Sequence, residues 1–296
     1  MTTTELGFTR EPLSVADGVP CFVGNAGYAA SFGLQWRHFA RTQLDSHNGS
    51  SYSRDRLCAT AGWDSLPDLS GRRVLEAGSG AGRFTEVLAQ TGAEVWSFDY
   101  TEAALVNHRN NAGRRNVRIF RADLYSIPLP PASFDIVCCL GVLQHTPDVR
   151  RSFRSLAEMV APGGLLVVDA YSRALRQRLH WKYLLRPFTT RMAPERLFDL
   201  CQRRVPRLMP AAAWLRRLAP PLVRLVPIMD MSNRRLPAEI QKEWCILDTF
   251  DALAAAYDQP QSARTLRRWY AEAGFEQVQV RDGTIVRARG RRPPSG

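Results

Sequence analysis

Residues 74–84 read V-L-E-A-G-S-G-A-G-R-F, an acid followed by three alternate glycines between an apolar run and a helical pattern. Glycines at such a turn let backbone N–H groups approach a ligand, and the following helix start favours negative charge. A dinucleotide turn needs the spacing G-x-G-x-x-G, and Arg83 stands where its third glycine would fall. The pattern is instead E-x-G-x-G-x-G, led by Glu76. A carboxylate there opposes a pyrophosphate and suits a ligand carrying a cationic amine and a sulfonium, since opposite charges within about 4–6 Å stabilise each other. Asp99 follows Gly78 by 21 residues at the end of V-W-S-F-D, where a carboxylate can accept from ribose hydroxyls or, as Asp123 also could, cap the helix that follows.

Two further groups could move protons. His145 lies in the loop after the apolar run Phe134–Leu140, and an imidazole of pKa about 6.5 can take the proton of a hydroxyl under attack. The alternative is that Gln144-His145-Thr146-Pro147 only shapes the loop. In W-C-I-L-D-T-F-D-A-L, Asp248 and Asp251 stand at i, i+3, close to one helical face. They could orient substrate hydroxyls or assist His145, or serve as surface or capping acids. Trp244 and Tyr257 flank them as candidate substrate contacts.

These residues need strands and helices to hold them. Candidate strands are Arg73–Glu76, Glu94–Phe98, Val117–Arg121, Phe134–Leu140 and Leu165–Ala170, with helical segments Arg83–Gln90, Glu102–Asn110 and Val149–Val160 between them. Apolar strands alternating with amphipathic helices predict a mostly parallel sheet with helices on both faces. Pro162-Gly163-Gly164 ends one helix and starts a strand. G-F-E-Q-V-Q-V and T-I-V-R-A-R-G, joined at Asp282-Gly283, predict a C-terminal antiparallel hairpin. Phe32–Leu44 and Ser53–Ala61 are expected as helices, Met1–Val19 as a frayed segment and R-G-R-R-P-P-S-G as a dispensable tail. Met1–Gly7 lacks the apolar core of a signal peptide.

The chain of 296 residues suffices for one α/β domain of about 200 residues with appendages. No apolar run is long enough to span a membrane. The six cysteines show no CxxC and no metal-ligand spacing, which points to a reducing, cytoplasmic compartment and no metal. The net charge of +12 invites a nucleic-acid partner. The charge is local, however: Arg173–Ile240 holds fifteen Lys/Arg against four Asp/Glu. Only Lys182 and Lys242 are lysines, an arginine bias that genome composition can produce. The same segment is broken by eight prolines and reads as several short amphipathic helices inserted in the sheet. It suits a lid, a membrane-surface patch or a dimer contact, or simply an arginine-rich solvated face over an ordinary hydrophobic interior.

With these motifs in order, the sequence resembles the class I S-adenosylmethionine-dependent methyltransferases over roughly Gly71–Gly290. The resemblance rests on V-L-E-A-G-S-G-A-G-R-F-T, V-W-S-F-D-Y, F-R-A-D-L, F-D-I-V-C-C-L-G-V-L-Q-H-T-P-D, A-P-G-G-L-L-V-V-D and R-R-W-Y-A-E-A-G-F-E-Q-V-Q-V. It implies a Rossmann-like α/β fold with a seven-stranded sheet, S-adenosylmethionine as cofactor and S-adenosylhomocysteine as product. It also implies cofactor contacts from Glu76, Gly78, Ser79, Gly80, Gly82, Arg83, Phe84, Asp99, Tyr100, Asp123, Leu124, Leu140 and Gly141, with Asp123 at the adenine amino group. The stretch F-G-L-Q-W-R-H-F-A-R-T-Q-L-D is similar to an N-terminal helical cap in one bacterial subgroup. That makes Gln35, Trp36, Arg41 and Gln43 candidate cofactor or substrate contacts, with Phe39 read as packing; Gln144, beside His145, is a further candidate substrate contact. Some relatives carry a metal-binding segment before D-G-V-P; this chain lacks its paired cysteines, so zinc is not inferred.

The resulting expectation divides the chain into residues 1–70 (N-terminal segment and cap), 71–172 (cofactor-binding core), 173–240 (basic insertion), 241–290 (remainder of the core) and 291–296 (tail). The expected reaction is methyl transfer to a hydroxyl of a lipophilic or acidic small molecule in specialised or cofactor metabolism. The alternatives are an RNA-modifying methyltransferase and a non-catalytic protein keeping the fold. Against RNA, no recognition module, no [DN]-P-P-[YF] motif and no catalytic-cysteine arrangement are present, Cys138-Cys139 lying within a strand.

Overall fold

The computed structural model describes residues 7–24, 27–174 and 180–295. Nine strands form one sheet: β1 (Ser14–Ala16), β2 (Val19–Cys21), β3 (Arg73–Ala77), β4 (Glu94–Asp99), β5 (Val117–Arg121), β6 (Phe134–Cys139), β7 (Val160–Tyr171), β8 (Glu276–Arg281) and β9 (Ile285–Arg291). Their order is β1-β2-β5-β4-β3-β6-β7-β9-β8. The run from β2 through β7 is parallel, and β9 and β8 close the sheet antiparallel. The α/β class, the mostly parallel sheet and the terminal hairpin agree with the sequence reading.

Seven strands were expected and nine are present among the described residues. The two additional ones are β1 and β2, a hairpin turned at Asp17-Gly18, where both residues have positive φ (49° and 81°). That is the backbone a two-residue hairpin requires and Asp-Gly supplies. Of the segment expected to fray, residues 1–6 lie outside the described residues; the remainder caps the sheet edge through β2 and β5, and Phe8 packs on Trp96 and Phe120. At the other end β9 runs through Arg289–Arg291, so R-G-R-R-P-P-S-G begins inside the sheet; Arg292 N donates to Gly164 O at 2.9 Å.

Side-chain alternation along the strands buries both faces. Leu75, Val137 and Leu166 face one core, packed by Phe153 and Leu156 of α6 (Val149–Met159) and by Leu266 and Tyr270 of α10 (Ala263–Glu272). Val74, Ile136 and Val167 face the other, packed by α3 (Tyr52–Ala61) and α4 (Arg83–Ala89). The helix expected over Phe32–Leu44 ends earlier, as α1 (Ala30–His38). Beyond it Thr42 donates to Glu243 at 2.7 Å and Gln43 to Asp248 at 3.3 Å, so tertiary bonds replace the helical ladder. A short α2 (Asp45–Asn48) follows, and α5 (Ala103–Asn110) lies between β4 and β5.

The insertion is helical but less broken than its prolines predict. It comprises α7 (Lys182–Thr189), α8 (Pro194–Leu218) and a 3-10 turn (Pro220–Leu225), followed by α9 (Ala238–Ala254). Pro206 and Pro210 lie inside the 25-residue α8. Each removes one backbone donor, a local cost. The buried stripe Leu197, Phe198, Cys201, Val205 and Ala212 keeps the helix against α9, with Phe198 edge-on to Phe250 at 5.3 Å.

Candidate active site

The carboxyl ends of β3, β4, β6 and β7 meet where the strand order reverses, the place at which open α/β sheets bind ligands. A cavity of about 810 Å³ opens there, walled by strand ends, the N-terminal cap and the insertion.

The glycine turn forms one wall. Gly78 and Gly80 have φ of +74° and +53°. The Gly78 and Ser79 amides donate to Phe98 O at 2.8 and 3.0 Å, tying the turn to β4. The Gly80 amide donates to Asp99 Oδ2 at 2.9 Å, while Asp99 Oδ1 accepts from the Thr101 amide and hydroxyl at 2.8 and 2.7 Å. Burial raises the Asp99 pKa, and these bonds counter the rise. Trp36 from the cap lies over Gly80, so that a Cβ there would fall 3.0 Å from its ring.

Ser79, Arg83, Phe84, Tyr100, Leu124, Leu140 and Gly141 also line the cavity, as do Gln35 and Gln43. Arg83 donates to Gln43 Oε1 at 2.8 Å and to Ser53 Oγ at 3.2 Å, and its guanidinium lies over Phe84 and Trp244. Burial lowers its pKa, helped by Arg56 and Arg234.

Other expected contacts lie off the wall. Glu76 is buried on the α4 side of the sheet; its Oε2 accepts from Thr85 at 2.5 Å and from Ser97 at 2.8 Å, and its Oε1 has no partner among the described residues. Burial pushes its pKa up to about 7. Gly82 faces Asn107, and a Cβ there would fall 2.1 Å from that amide oxygen. Asp123 accepts from the Tyr125 amide at 2.9 Å, and Arg41 is exposed. Gln144 is fully buried with neither side-chain polar atom paired among the described residues. Tyr257 reaches the site through its backbone.

That backbone contact fixes the imidazole. His145 Nδ1 lies 2.9 Å from Tyr257 O. A carbonyl can only accept, so Nδ1 carries the hydrogen and the neutral ring leaves its lone pair on Nε2. Nε2 faces Asp251 Oδ2 at 4.0 Å, and that carboxylate accepts from Tyr171 OH at 3.3 Å. Phe32 and Tyr171 enclose the ring at 5.2 and 5.4 Å. Asp248 sits one helical turn away, where burial pushes its carboxyl up to about 6 against the opposing pull of Arg234.

Sequence reading missed the polar frame behind these groups. Arg56 donates to both oxygens of Asp169, from Nε to Oδ2 at 2.9 Å and from Nη2 to Oδ1 at 3.0 Å and Oδ2 at 2.7 Å, and Asp169 Oδ1 also accepts from the Gly141 amide at 2.6 Å. The signal was an acid inside the apolar strand L-L-V-V-D-A, which needs a partner when buried. Lys182 similarly pairs with the buried Asp258 at 2.5 Å and lies over the Tyr171 ring.

Residues 75–168 match a family model described as a methyltransferase domain. Those residues, about a third of the chain, thus match a methyltransferase domain. A ubiquinone biosynthesis O-methyltransferase of Coxiella burnetii is 31% identical over 114 residues, covering 38% of this chain and 49% of the relative. One from Sinorhizobium fredii is 35% identical over 130 residues, covering 43% and 52%. The chain thus spans about half the length of the curated relatives it matches. A solved complex between the Haloferax volcanii Trm112 methyltransferase activator and a methyltransferase shares the fold, with a TM-score of 0.51 at 11% identity over 92% of this chain and 100% of the other.

The residues present fit the family's cofactor. Ser79 Oγ is a buried hydroxyl on the cavity wall with no partner among the described residues, beside the Asp99 carboxylate. Leu124, Leu140 and Phe98 supply an apolar surface for a base, and Arg83 a cation for a carboxylate.

Proposed function

We propose that this chain transfers the methyl group of S-adenosylmethionine to a hydroxyl oxygen of a small-molecule acceptor. When bound, the cofactor supplies a methyl group already activated on a sulfonium. Asp99 and Ser79 would hold its ribose side, Leu124 and Leu140 its base, and Arg83 with Gln43 its carboxylate. The chain's remaining task is to align the acceptor and receive its proton.

The observation that carries this reading is the Nδ1 contact of His145 with the Tyr257 carbonyl, which presents Nε2 as a proton acceptor inside the cavity. Asp251 lies where it stabilises the imidazolium that forms, and Tyr171 holds that carboxylate in place. The named activity of the ubiquinone biosynthesis relatives supports an oxygen nucleophile and an acceptor from specialised or cofactor metabolism. Trp36, Trp244 and Asp248 are the residues best placed to contact that acceptor.

The test is incubation with methyl-labelled cofactor and a panel of catechols matched to amine analogues, read by mass spectrometry. Label on oxygen is expected; label confined to nitrogen or carbon overturns the reading. His145→Ala should lower kcat by about 10²–10⁴ while S-adenosylhomocysteine affinity stays unchanged. A variant retaining wild-type kcat removes His145 as the base.

A further inference from the structure

We propose that the insertion docks this chain on an anionic lipid bilayer. Among the described residues, eight of the eleven exposed large hydrophobic side chains fall between Leu184 and Leu225. Single exposed leucines are ordinary, but a concentration of them on consecutive elements is not.

The polarity of α7 is inverted for a helix on a water-facing surface. Its inner side is polar: Arg186 donates to Ala252 O and Ala255 O at 3.1 and 2.7 Å, Thr189 donates to Leu253 O at 3.0 Å, and Lys182 pairs with Asp258. Its outer side carries Leu184 and Phe188 at i, i+4, 77% and 73% exposed. A surface helix ordinarily turns its apolar stripe inward. A second stripe continues from α8 into the 3-10 turn: Trp214 and Leu218 at i, i+4, then Leu225, exposed by 61%, 66% and 73%. Both elements border the cavity, through Lys182 and Tyr183 of α7 and Arg224 of the turn.

Charge selects the occupant. Arg191, Arg217 and Arg224 are exposed beside Met192, Leu218 and Leu225, and among the described residues none of the three forms an ion pair. Arginine interleaved with leucine and an aromatic ring matches an interface that is anionic outside and hydrocarbon within. A second copy would oppose like charges across the contact. Nucleic acid could stack on Phe188 and Trp214 alone, the other six of these eight side chains being non-aromatic. The proposal does not rest on methyl transfer, because membrane attachment is measured without turnover.

The test is co-sedimentation of the full chain with vesicles of phosphatidylcholine alone and of phosphatidylcholine with about one-third phosphatidylglycerol. Partition onto the anionic vesicles is expected, falling as salt rises. The double substitution Leu184→Ser, Phe188→Ser should lower that partition by about tenfold or more. Unchanged melting temperature and S-adenosylhomocysteine affinity would establish that this variant is folded. Equal partition onto neutral vesicles, no partition onto anionic ones, or no effect of the double substitution overturns the proposal. So does a dimer, seen by sedimentation equilibrium, that the double substitution dissolves.

Discussion

Glu76 makes the stability of this fold depend on pH in a direction opposite to most carboxylates. Its side chain is buried, with one oxygen bonded to Thr85 and Ser97 and the other unpaired among the described residues. Burial raises its pKa from 4.5 to about 7. A carboxyl raised on folding holds its proton longer in the native state, so its contribution is complete below the unfolded pKa and lost as pH climbs through the folded one. At 1.36 kcal/mol per unit the loss totals roughly 3 kcal/mol, most of it between pH 5 and 8. Glu76→Gln keeps an acceptor for Thr85 and Ser97 and removes the titration. Urea unfolding of both proteins across pH 5–8.5, without cofactor, isolates the residue because other groups cancel in the difference. The variant should gain on the wild type by about 2–3 kcal/mol from pH 5 to pH 8. A flat difference, or one that favours the wild type as pH rises, refutes the assignment of Glu76 as a carboxyl disfavoured by burial.

Other perturbations follow from single contacts. Gly78→Ala forces a Cβ to within 2.3 Å of Val142 Cγ2 at a φ of +74° and should cost about 1–3 kcal/mol in thermal or urea melts; Val142→Ala should recover only the steric part. Arg56→Met strands Asp169, whose side chain is 1% exposed, and should cost about 3–5 kcal/mol, with Asp169→Asn partly rescuing it. Asp99→Ala removes the acceptor for Gly80 and Thr101 and should weaken S-adenosylhomocysteine binding in calorimetry by roughly 10–100-fold.

What was legible in the sequence was local. The glycine turn, the five central strands and the Asp282-Gly283 hairpin follow from periodicity and turn chemistry within a few residues. The same turn chemistry stood at Asp17-Gly18, yet flanking strands of only three residues carry too little alternation to reveal a hairpin. The length of α8 was hidden because Pro206 and Pro210 are strong local breakers, overridden by burial against a helix about 40 residues away. The pairing of Arg56 with Asp169 spans 113 positions, and nothing near Arg56 marks it as a partner. His145 could be nominated from its place after a strand, but its tautomer depends on a carbonyl 112 residues away.

Glu76, whose charge suggests a cationic ligand, shows why residue type and side-chain direction must be argued separately. Along β3, alternation sends residues 74 and 76 to one face, and that face is covered by α4 rather than opening to the cavity. There Glu76 meets the hydroxyls of Thr85 and Ser97, and burial raises its pKa to about 7. Other carboxylates do line the cavity. Asp99, at the end of the neighbouring strand, lines the cavity, and Asp248 and Asp251 approach from α9 on its far side. Negative charge thus reaches the cavity from both the core sheet and the helix that follows the insertion. Glu76 serves instead to join β3, β4 and α4 beneath the glycine turn, through the hydroxyls of Ser97 and Thr85.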